Sequence, residues 1–233
     1  MIEGEVGKYS SPAIFLATGK HDVRGTPRPR QDDDPALGIR LRLPAHDGLT
    51  ALLRYRIELH LFRGGYAGIV LQEDGAANVC LAVRKSLLAA ADGDPRALLD
   101  RLASTNPRFA VRMEFAPSDL DIDTVGAVPY GWIARDTEPG LWRLGDQAAV
   151  IPSLAGEGMG IAMESGVAAA QAFLAGQNAT DFQREFARRA DRPVRIAKLV
   201  WRTAESEPGA RLLTGVSKGF PSLVRAAMTL TRI

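Results

Sequence analysis

An acid and two glycines at short spacing mark the part of the sequence that could do chemistry. Asp146 follows an apolar run that ends at Leu144, and Gly156 and Gly158 flank the start of a segment with helical spacing. An acid at the end of a strand can accept hydrogen bonds from sugar-like hydroxyl groups. Glycines let the backbone approach a flat ligand, and the unpaired amides of a helix start favour an anion. Reduced flavin, whose pyrimidine edge becomes negative, is such a ligand.

The same stretch resembles the second FAD fingerprint of flavoproteins of the para-hydroxybenzoate hydroxylase-like class. The matching positions are Gly145-Asp146, Pro152, Gly156-Glu157-Gly158, Ala162-Met163 and Ser165-Gly166. Within that class, the sequence most resembles the geranylgeranyl reductase-like branch. The resemblance implies that Asp146 binds the ribityl chain, and that the backbone at Gly158 and Met159 lies beside the isoalloxazine ring. Gly145, Pro152 and Gly156 complete the implied cofactor site.

Two positions depart from the hydroxylase version of this fingerprint, which usually has His and a second Pro there. They are Ala149 and Ser153. The departure weakens a hydroxylase assignment more than it weakens FAD binding.

A second motif runs from Phe15 to Gly25 and resembles the strand and turn that precede the substrate domain in these flavoproteins. The resemblance implies cofactor contacts at Thr18 and Gly19. It also places the substrate sheet between the two motifs. Tyr66 and Trp132 are therefore candidate residues for a pocket that takes an apolar substrate, although aromatic residues on strands usually belong to the core.

The sequence lacks the Gly-x-Gly-x-x-Gly turn with which this class holds the FAD pyrophosphate, because Ile161 stands where the third glycine of the Gly156 run would be. We therefore expect the chain to begin near the last strand of the FAD-binding domain and to bind FAD weakly by itself.

Two functions remain open. The first is an FAD-dependent oxidoreductase, either a reductase or a monooxygenase, that acts on an apolar small molecule, with NAD(P)H as a candidate electron donor. No Ser-His-Asp set, metal cluster or carboxylate pair is visible, so no catalytic residue is assigned and the flavin would do the electron chemistry. The alternative is an inert truncated flavoprotein, or a subunit that needs a separate N-terminal FAD-binding half.

The surrounding pattern predicts an α/β fold with α+β character. We expect an incomplete three-layer FAD-binding domain in residues 1–35 and 123–180, an inserted antiparallel substrate-binding sheet in residues 36–122, and C-terminal helices in residues 181–233. Alternating apolar residues predict strands within residues 39–43, 55–62, 69–71 and 79–83. Gly64 and Gly75 predict the hairpin turns between the last three.

Further elements follow from apolar runs and from capping residues. Strands are expected at residues 13–17, buried, and at residues 126–133 and 140–146. Asp94 and Pro95 predict the start of a helix. Further helices are expected at residues 156–175 and from Thr180 onward, with a kink or break at Pro193 and two short helices after it.

The composition excludes several classes of protein. The 233 residues include 29 basic and 27 acidic residues, a net charge of +2, which gives no support for nucleic-acid binding. No segment has the length and apolarity of a membrane span. The single cysteine, Cys80, favours a reducing cytoplasm and is expected to be a buried strand thiol. Three isolated histidines, His21, His46 and His60, are expected at the surface or in packing roles.

Overall fold

The computed structural model describes residues 2–4, 7–24, 27–29 and 32–233, with side chains from residue 10 onward in these ranges. The strands are β1 (Ile2–Gly4), β2 (Gly7–Tyr9), β3 (Ile14–Leu16), β4 (Ala36–Leu43), β5 (Ile57–Phe62), β6 (Gly65–Leu71), β7 (Ala77–Arg84), β8 (Ile122–Val128) and β9 (Leu141–Arg143). The helices are α1 (Asp47–Leu53), α2 (Lys85–Ala89), α3 (Pro95–Thr105), α4 (Pro107–Met113), α5 (Gly158–Leu174), α6 (Ala179–Ala204), α7 (Glu207–Gly219) and α8 (Pro221–Leu230). The predicted mixed α/β class, with an antiparallel sheet and C-terminal helices, is confirmed.

The chain divides into two compact units. The first comprises Met1–Arg28, Tyr130–Leu199 and Arg225–Ile233, and the second comprises Pro29–Pro129 and Val200–Val224. Each unit has a hydrophobic core of its own. The three-part domain division expected from the sequence stays a prediction.

The second unit is built on a five-stranded antiparallel sheet in the order β5-β6-β7-β4-β8. Alternation along β7 places Val79, Leu81 and Val83 on one face, where they are buried. Apolar side chains of α3 and α4, Leu99 and Phe109 among them, pack with these residues into the core. The four strands predicted from alternation are confirmed, and β8 adds a fifth beside β4.

Cys80 lies on the opposite face of this sheet and is exposed, so the prediction of a buried thiol is wrong. The register pairs it with Gly68 on one side and Arg40 on the other. Because neighbouring residues of a strand point to opposite faces, burial of Val79 and Leu81 puts Cys80 on the open face.

Both predicted hairpin turns are confirmed. Gly64 and Gly75 each have φ +80°, a left-handed conformation that glycine adopts without steric cost. Register pairs Phe62 with Gly65 across the first turn. A two-residue loop therefore joins β5 to β6.

Two predicted strands have different bounds in the structure. The strand expected at residues 126–133 begins at Ile122 and ends at Val128, where it joins the antiparallel sheet. Ile133 instead forms an isolated bridge with Ala149. The strand expected at residues 140–146 is β9, which ends at Arg143, and Asp146 lies in the 3-10 turn that follows.

The first unit contains the parallel pair β3 and β9, with Ile14 opposite Leu141. The prediction of a buried strand at residues 13–17 is correct for the strand and only partly correct for burial. Leu16 is buried, but Phe15 is 43% exposed. The Phe15 ring stacks on Trp142 at a centroid distance of 5.5 Å.

Helices α5 and α6 supply most of the core of the first unit. Ile161 and Ala169 of α5 pack with Phe182 and Phe186 of α6 in this core. Of the kink or break predicted at Pro193, a break is wrong, because α6 continues through this residue, and a kink stays a prediction. Among the described residues, no helix combines the length and the hydropathy needed to cross a membrane.

The helix predicted at Asp94 and Pro95 is confirmed, with the Asp94 side chain accepting a hydrogen bond from the amide of Arg96. Three short helices were not predicted: α1, α2 and α4. His46 caps α1 through its ring, which accepts from the amide of Gly48, and Asn106 caps α4.

Candidate functional site

The turn after β9 holds Asp146 in a fixed place against α5. Gly145 has φ +55°, and a Cβ at this position would lie 3.4 Å from the Cβ of Ala162. The amide of Gly145 donates a hydrogen bond of 2.8 Å to Oγ of Ser165, which is fully buried in α5. The positive φ favours glycine here, whereas a Cβ would make only ordinary van der Waals contact with the helix.

Gln147 links this turn to the Thr18-Gly19 turn. Its Nε2 donates to the carbonyl oxygens of Gly19, at 3.0 Å, and His21, at 2.9 Å. The Gln147 side chain is buried, and the two bonds are partly buried. The structure therefore brings together the two motifs that the sequence placed 126 to 128 residues apart.

Arg28 provides a second link that the sequence analysis missed. Its Nη1 donates to the carbonyl oxygen of Asp146 at 2.8 Å, and its Nη2 donates to that of Lys20 at 2.5 Å. Nε of Arg28 donates to Oδ1 of Asp22 at 2.6 Å. The guanidinium also lies 5.8 Å from the ring centroid of Trp132. One buried cation thus fixes the loop after Gly19 to the Asp146 turn.

The Asp146 carboxylate itself is less constrained than its backbone. Oδ2 lies 3.7 Å from Nζ of Lys20, and both side chains are partly exposed. This carboxylate keeps capacity to accept hydrogen bonds from a ligand. Lys20 places a positive charge beside it, which the sequence analysis did not assign to the site.

The first amides of α5 donate no backbone hydrogen bond to the described residues. Gly156 has φ +72°, and the residue before the helix, Glu157, makes no side-chain capping bond. The first amide to bond back into this turn is that of Ile161, to the carbonyl of Glu157. The amides of Gly158, Met159 and Gly160 precede it and remain available to a ligand.

Open space lies in front of the glycines of the site. A Cβ built at Gly19, Gly156 or Gly158 would meet no atom within 4 Å. Met159 is exposed at the helix start, whereas Pro152 is buried before it. Amides at the positive end of a long helix suit the anionic edge of a flavin, and glycines without neighbours in front of them leave room for its flat ring.

The two candidate pocket residues belong to different units. Tyr66 is buried on β6 of the second unit, and Trp132 is buried beside Arg28 in the first. Their joint role in a substrate pocket stays a prediction. A pocket of about 600 Å³ in the second unit, lined by Thr50, Arg54, Tyr55 and Ile57 among others, contains neither residue.

The prediction that His60 is isolated is wrong. His60 lies in a largely buried polar group with Glu58 and Arg112. Glu58 accepts two hydrogen bonds from Arg112, at 2.7 and 2.8 Å, and lies 3.3 Å from Nε2 of His60. Burial lowers the pKa of His60 despite the neighbouring carboxylate. Burial favours a higher pKa for Glu58, but the hydrogen bonds and charge of Arg112 outweigh it and the pKa is lowered.

The His60 group has a structural role. The His60 ring meets Phe109 edge to face at 5.5 Å, which places it between the sheet and α4. Glu58 and His60 are two residues apart on β5 and therefore share one face, which the sequence spacing could have indicated. Arg112 lies 54 residues away, so no local spacing could have indicated its part in the group.

Comparison of the sequence with protein families and with curated proteins finds no match. Solved structures do match. A probable FAD-dependent monooxygenase from Pseudomonas aeruginosa, PqsL, matches with a TM-score of 0.57 and 15% identity, covering 85% of this chain and 57% of that one. The flavin-dependent brominase Bmp2 matches with a TM-score of 0.60 and 14% identity, covering 85% and 50%.

A geranylgeranyl bacteriochlorophyll reductase-like protein from Thermoplasma acidophilum matches with a TM-score of 0.52 and 15% identity, covering 94% of this chain and 62% of that one. The chain therefore has the fold of part of an FAD-dependent oxidoreductase. It spans between 50% and 62% of the length of these three structures.

Proposed function

We propose that the chain binds FAD and forms part of an FAD-dependent oxidoreductase that acts on an apolar small molecule. One observation carries the proposal. The Asp146 turn and the uncapped start of α5 are held together beside the Gly19 turn, with open space in front of the glycines. The fold, which is shared with flavin-dependent enzymes, supports the same conclusion.

Each residue of the site has a role in this proposal. The Asp146 carboxylate accepts hydrogen bonds from the ribityl hydroxyls, and the amides of Gly158 and Met159 stabilise negative charge on the pyrimidine edge. Gly19 and Gly156 leave room for the cofactor. When bound, the flavin supplies the electron chemistry, as in a reductase or a monooxygenase, with NAD(P)H as the proposed electron donor.

The open face of the five-stranded sheet supports an apolar substrate. Ile57 and Leu59 of β5 are exposed, and Leu59 lies in the same cross-strand row as Gly68 and Cys80. The same row continues to exposed Arg40 of β4, so the face is apolar at its β5 edge and charged at β4. Exposed apolar side chains grouped in this way are typical of a binding surface. We propose that it contributes to substrate binding, as a geranylgeranyl reductase-like activity would require.

One observation favours a second candidate function, in which the chain is active only together with a separate nucleotide-binding half. The parallel sheet of the described residues has two strands, β3 and β9, whereas parallel sheets generally have more strands and are covered on both faces. FAD binding by the chain alone would then be weak.

Flavin absorbance of the purified chain, after incubation with excess FAD and gel filtration, tests the proposal. We expect retained flavin bands in the unmodified chain and their loss in Asp146→Ala. The matched control is Asp119→Ala, which removes an exposed acid that belongs to the second unit. Absence of flavin in every sample after gel filtration would reject tight FAD binding by the chain alone and favour the need for another nucleotide-binding part.

A pair of glycine variants on α5 tests whether the isoalloxazine ring of the flavin lies at the start of this helix. Gly158→Val fills the open space in front of the helix start, whereas Gly166→Val adds the same side chain to the same helix, again without a neighbour within 4 Å. We expect the first to abolish flavin binding and the second to preserve it, with similar unfolding temperatures. Equal retention in both variants would place the flavin elsewhere.

A further inference from the structure

A pocket of about 600 Å³ lies in the second unit, where the end of α1, the start of β5 and the turn from β6 to β7 meet. Its lining comes from residues within 50–57 and 70–75. This volume is typical of a site that takes a small organic molecule. We call it the α1–β5 pocket.

Two arginines of this pocket lack an anionic partner. Arg54 and Arg56 are exposed, and within the described residues neither guanidinium forms an ion pair or a side-chain hydrogen bond. The guanidinium of Arg54 lies 5.7 Å from the ring centroid of Tyr55. Glu73 is the one acidic residue of the lining, so two arginines against one glutamate leave a net positive charge. A guanidinium binds a carboxylate through two parallel hydrogen bonds, so the pocket favours an organic anion.

Tyr55 occupies a backbone position at which glycine is usual. It follows Arg54, the C-cap of α1, and has φ +62°. Helices commonly end in this left-handed conformation, but it is unfavourable for a residue that carries a Cβ. The Tyr55 side chain is 96% exposed, so packing in the core does not offset the strain. Strain of this kind is typical of residues that bind ligands, and a ligand that contacts the ring would account for it.

The remaining lining offers an apolar surface. Leu53 is buried, and Val70 and Leu71 are half-buried. An alkyl chain or a ring that covers these side chains and the Tyr55 ring would lose contact with water, which stabilises the bound state. The lining therefore combines the two properties that an amphiphilic organic acid requires, a pair of cationic side chains and an apolar surface.

We propose that the α1–β5 pocket binds a small carboxylic acid with an apolar body. Its carboxylate pairs with Arg54 and Arg56, and its body lies against the apolar lining. The concave shape favours a small molecule over an extended polypeptide. The site is separate from the proposed flavin contacts, which all belong to the first unit. Of the residues named for the proposed substrate surface, only Ile57 lines the pocket.

Calorimetric titration of the purified chain with octanoate tests this. We expect a dissociation constant of about 1 mM or lower, as for a ligand of this size. The alcohol 1-octanol has an alkyl chain of the same length without the charge, and its affinity should be lower by about fivefold or more. Changes in amide chemical shift on adding octanoate should cluster in residues 50–57 and 70–75.

Variants of the lining separate binding from folding. The double variant Arg54→Gln and Arg56→Gln should weaken octanoate binding by about tenfold or more. The control Arg63→Gln, at another exposed arginine of the second unit, should change it by less than about twofold. Tyr55→Gly should weaken binding by about fivefold and unfold at the same temperature as the unmodified chain or higher, because glycine adopts φ +62° without strain. Tyr55→Phe, which keeps the ring, should bind octanoate normally.

Several results would overturn the proposal: equal affinity for 1-octanol, unchanged affinity in the arginine double variant, or chemical-shift changes centred elsewhere. Tighter binding of a hexaglutamate peptide than of octanoate would also overturn it, in favour of a polypeptide partner. Unchanged affinity of Tyr55→Gly with a lower unfolding temperature would give Tyr55 a structural role instead. Asp146→Ala and Leu59→Ser should bind octanoate like the unmodified chain, so failure of this site is distinguishable from failure of the proposed flavin or substrate site.

Discussion

At the scale of single residues, the two motifs of the site meet partly through a side chain that neither motif contains, that of Arg28. Arg28 contacts Lys20 and Asp22 nearby in the sequence, but its bond to the backbone of Asp146 spans 118 residues. Local spacing therefore pointed to Asp146 and the glycines, whose proposed roles depend on their own backbone and charge. It could not point to Arg28, whose role depends on tertiary contact.

Replacing Arg28 should both destabilise the first unit and weaken flavin binding. Arg28→Met leaves the carbonyls of Lys20 and Asp146 without their buried donor, so we expect a loss of about 3 kcal/mol in the free energy of unfolding. Urea titration followed by tryptophan fluorescence measures it. Arg24→Met, which removes an exposed arginine in the same loop, should change stability by less than about 0.5 kcal/mol. Equal effects of the two variants would contradict the anchoring role of Arg28.

The lowered pKa of His60 predicts how stability changes with pH. Below the ordinary value of 6.5, the unfolded chain binds a proton on His60 more readily than the folded chain does. Stability should therefore fall as the pH is lowered from about 7 to about 5.5, by at most about 1.4 kcal/mol per pH unit from this group. The lowered pKa of Glu58 stabilises the fold above about pH 4.5, and this stabilisation is lost only as the pH falls below that value.

Urea unfolding at about pH 7 and about pH 5.5 measures this effect. Arg112 and Glu58 face the His60 ring and remain in place in His60→Gln, which lacks the titrating group. The variant should lose less stability over this interval than the unmodified chain does. The same slope in both proteins would show that another group titrates.

At the scale of elements, sequence patterns predicted the type of most strands and helices better than their ends. The alternation in β4, β5, β6 and β7 was visible because one face of the sheet is buried, whereas the other is exposed at Arg40, Arg42 and Cys80 and buried only locally, at Tyr66 and Ala82. Cys80 was misplaced because an apolar side chain on the open face looks like a core residue in the sequence. Helices α1, α2 and α4, of five to seven residues, are too short for a periodic signal.

Replacement by alanine should lower the free energy of unfolding by different amounts at two glycines of β6. A Cβ at Gly65 would lie 2.4 Å from the carbonyl oxygen of Ala82 and 3.0 Å from Cα of Val83, so the backbone of β7 must move. Gly65→Ala should lower the free energy of unfolding by about 1 to 3 kcal/mol. At Gly68 the nearest atoms lie 3.6 and 3.8 Å away, and Gly68→Ala should stay within about 0.5 kcal/mol. Chemical denaturation compares them, and a reversed order would contradict the register of β6 and β7.

At the scale of the whole molecule, the candidate flavin site depends on one of two separate cores. Trp142, Ala148 and Ile161, which lie beside the Asp146 turn or in α5, belong to the core that contains Phe186. Phe109 belongs to the core of the antiparallel sheet. Sequence reasoning anticipated a sheet between the two motifs. It could not anticipate that residues 200–224 pack with that sheet's unit, because this assignment depends on long-range contacts such as the paired hydrogen bonds from Arg84 to Glu205.

Truncating one phenylalanine in each core should separate the two units in hydrogen exchange. Phe186 and Phe109 are both 1% exposed, so each change to Ala should cost about 3 to 5 kcal/mol. Phe186→Ala should speed amide exchange mainly in residues 130–199 and abolish flavin retention. Phe109→Ala should speed exchange mainly in residues 36–122 and leave flavin retention intact, because none of the proposed flavin contacts lies in its core. Exchange that rises equally throughout the chain in both variants would mean that the two cores unfold as one cooperative unit.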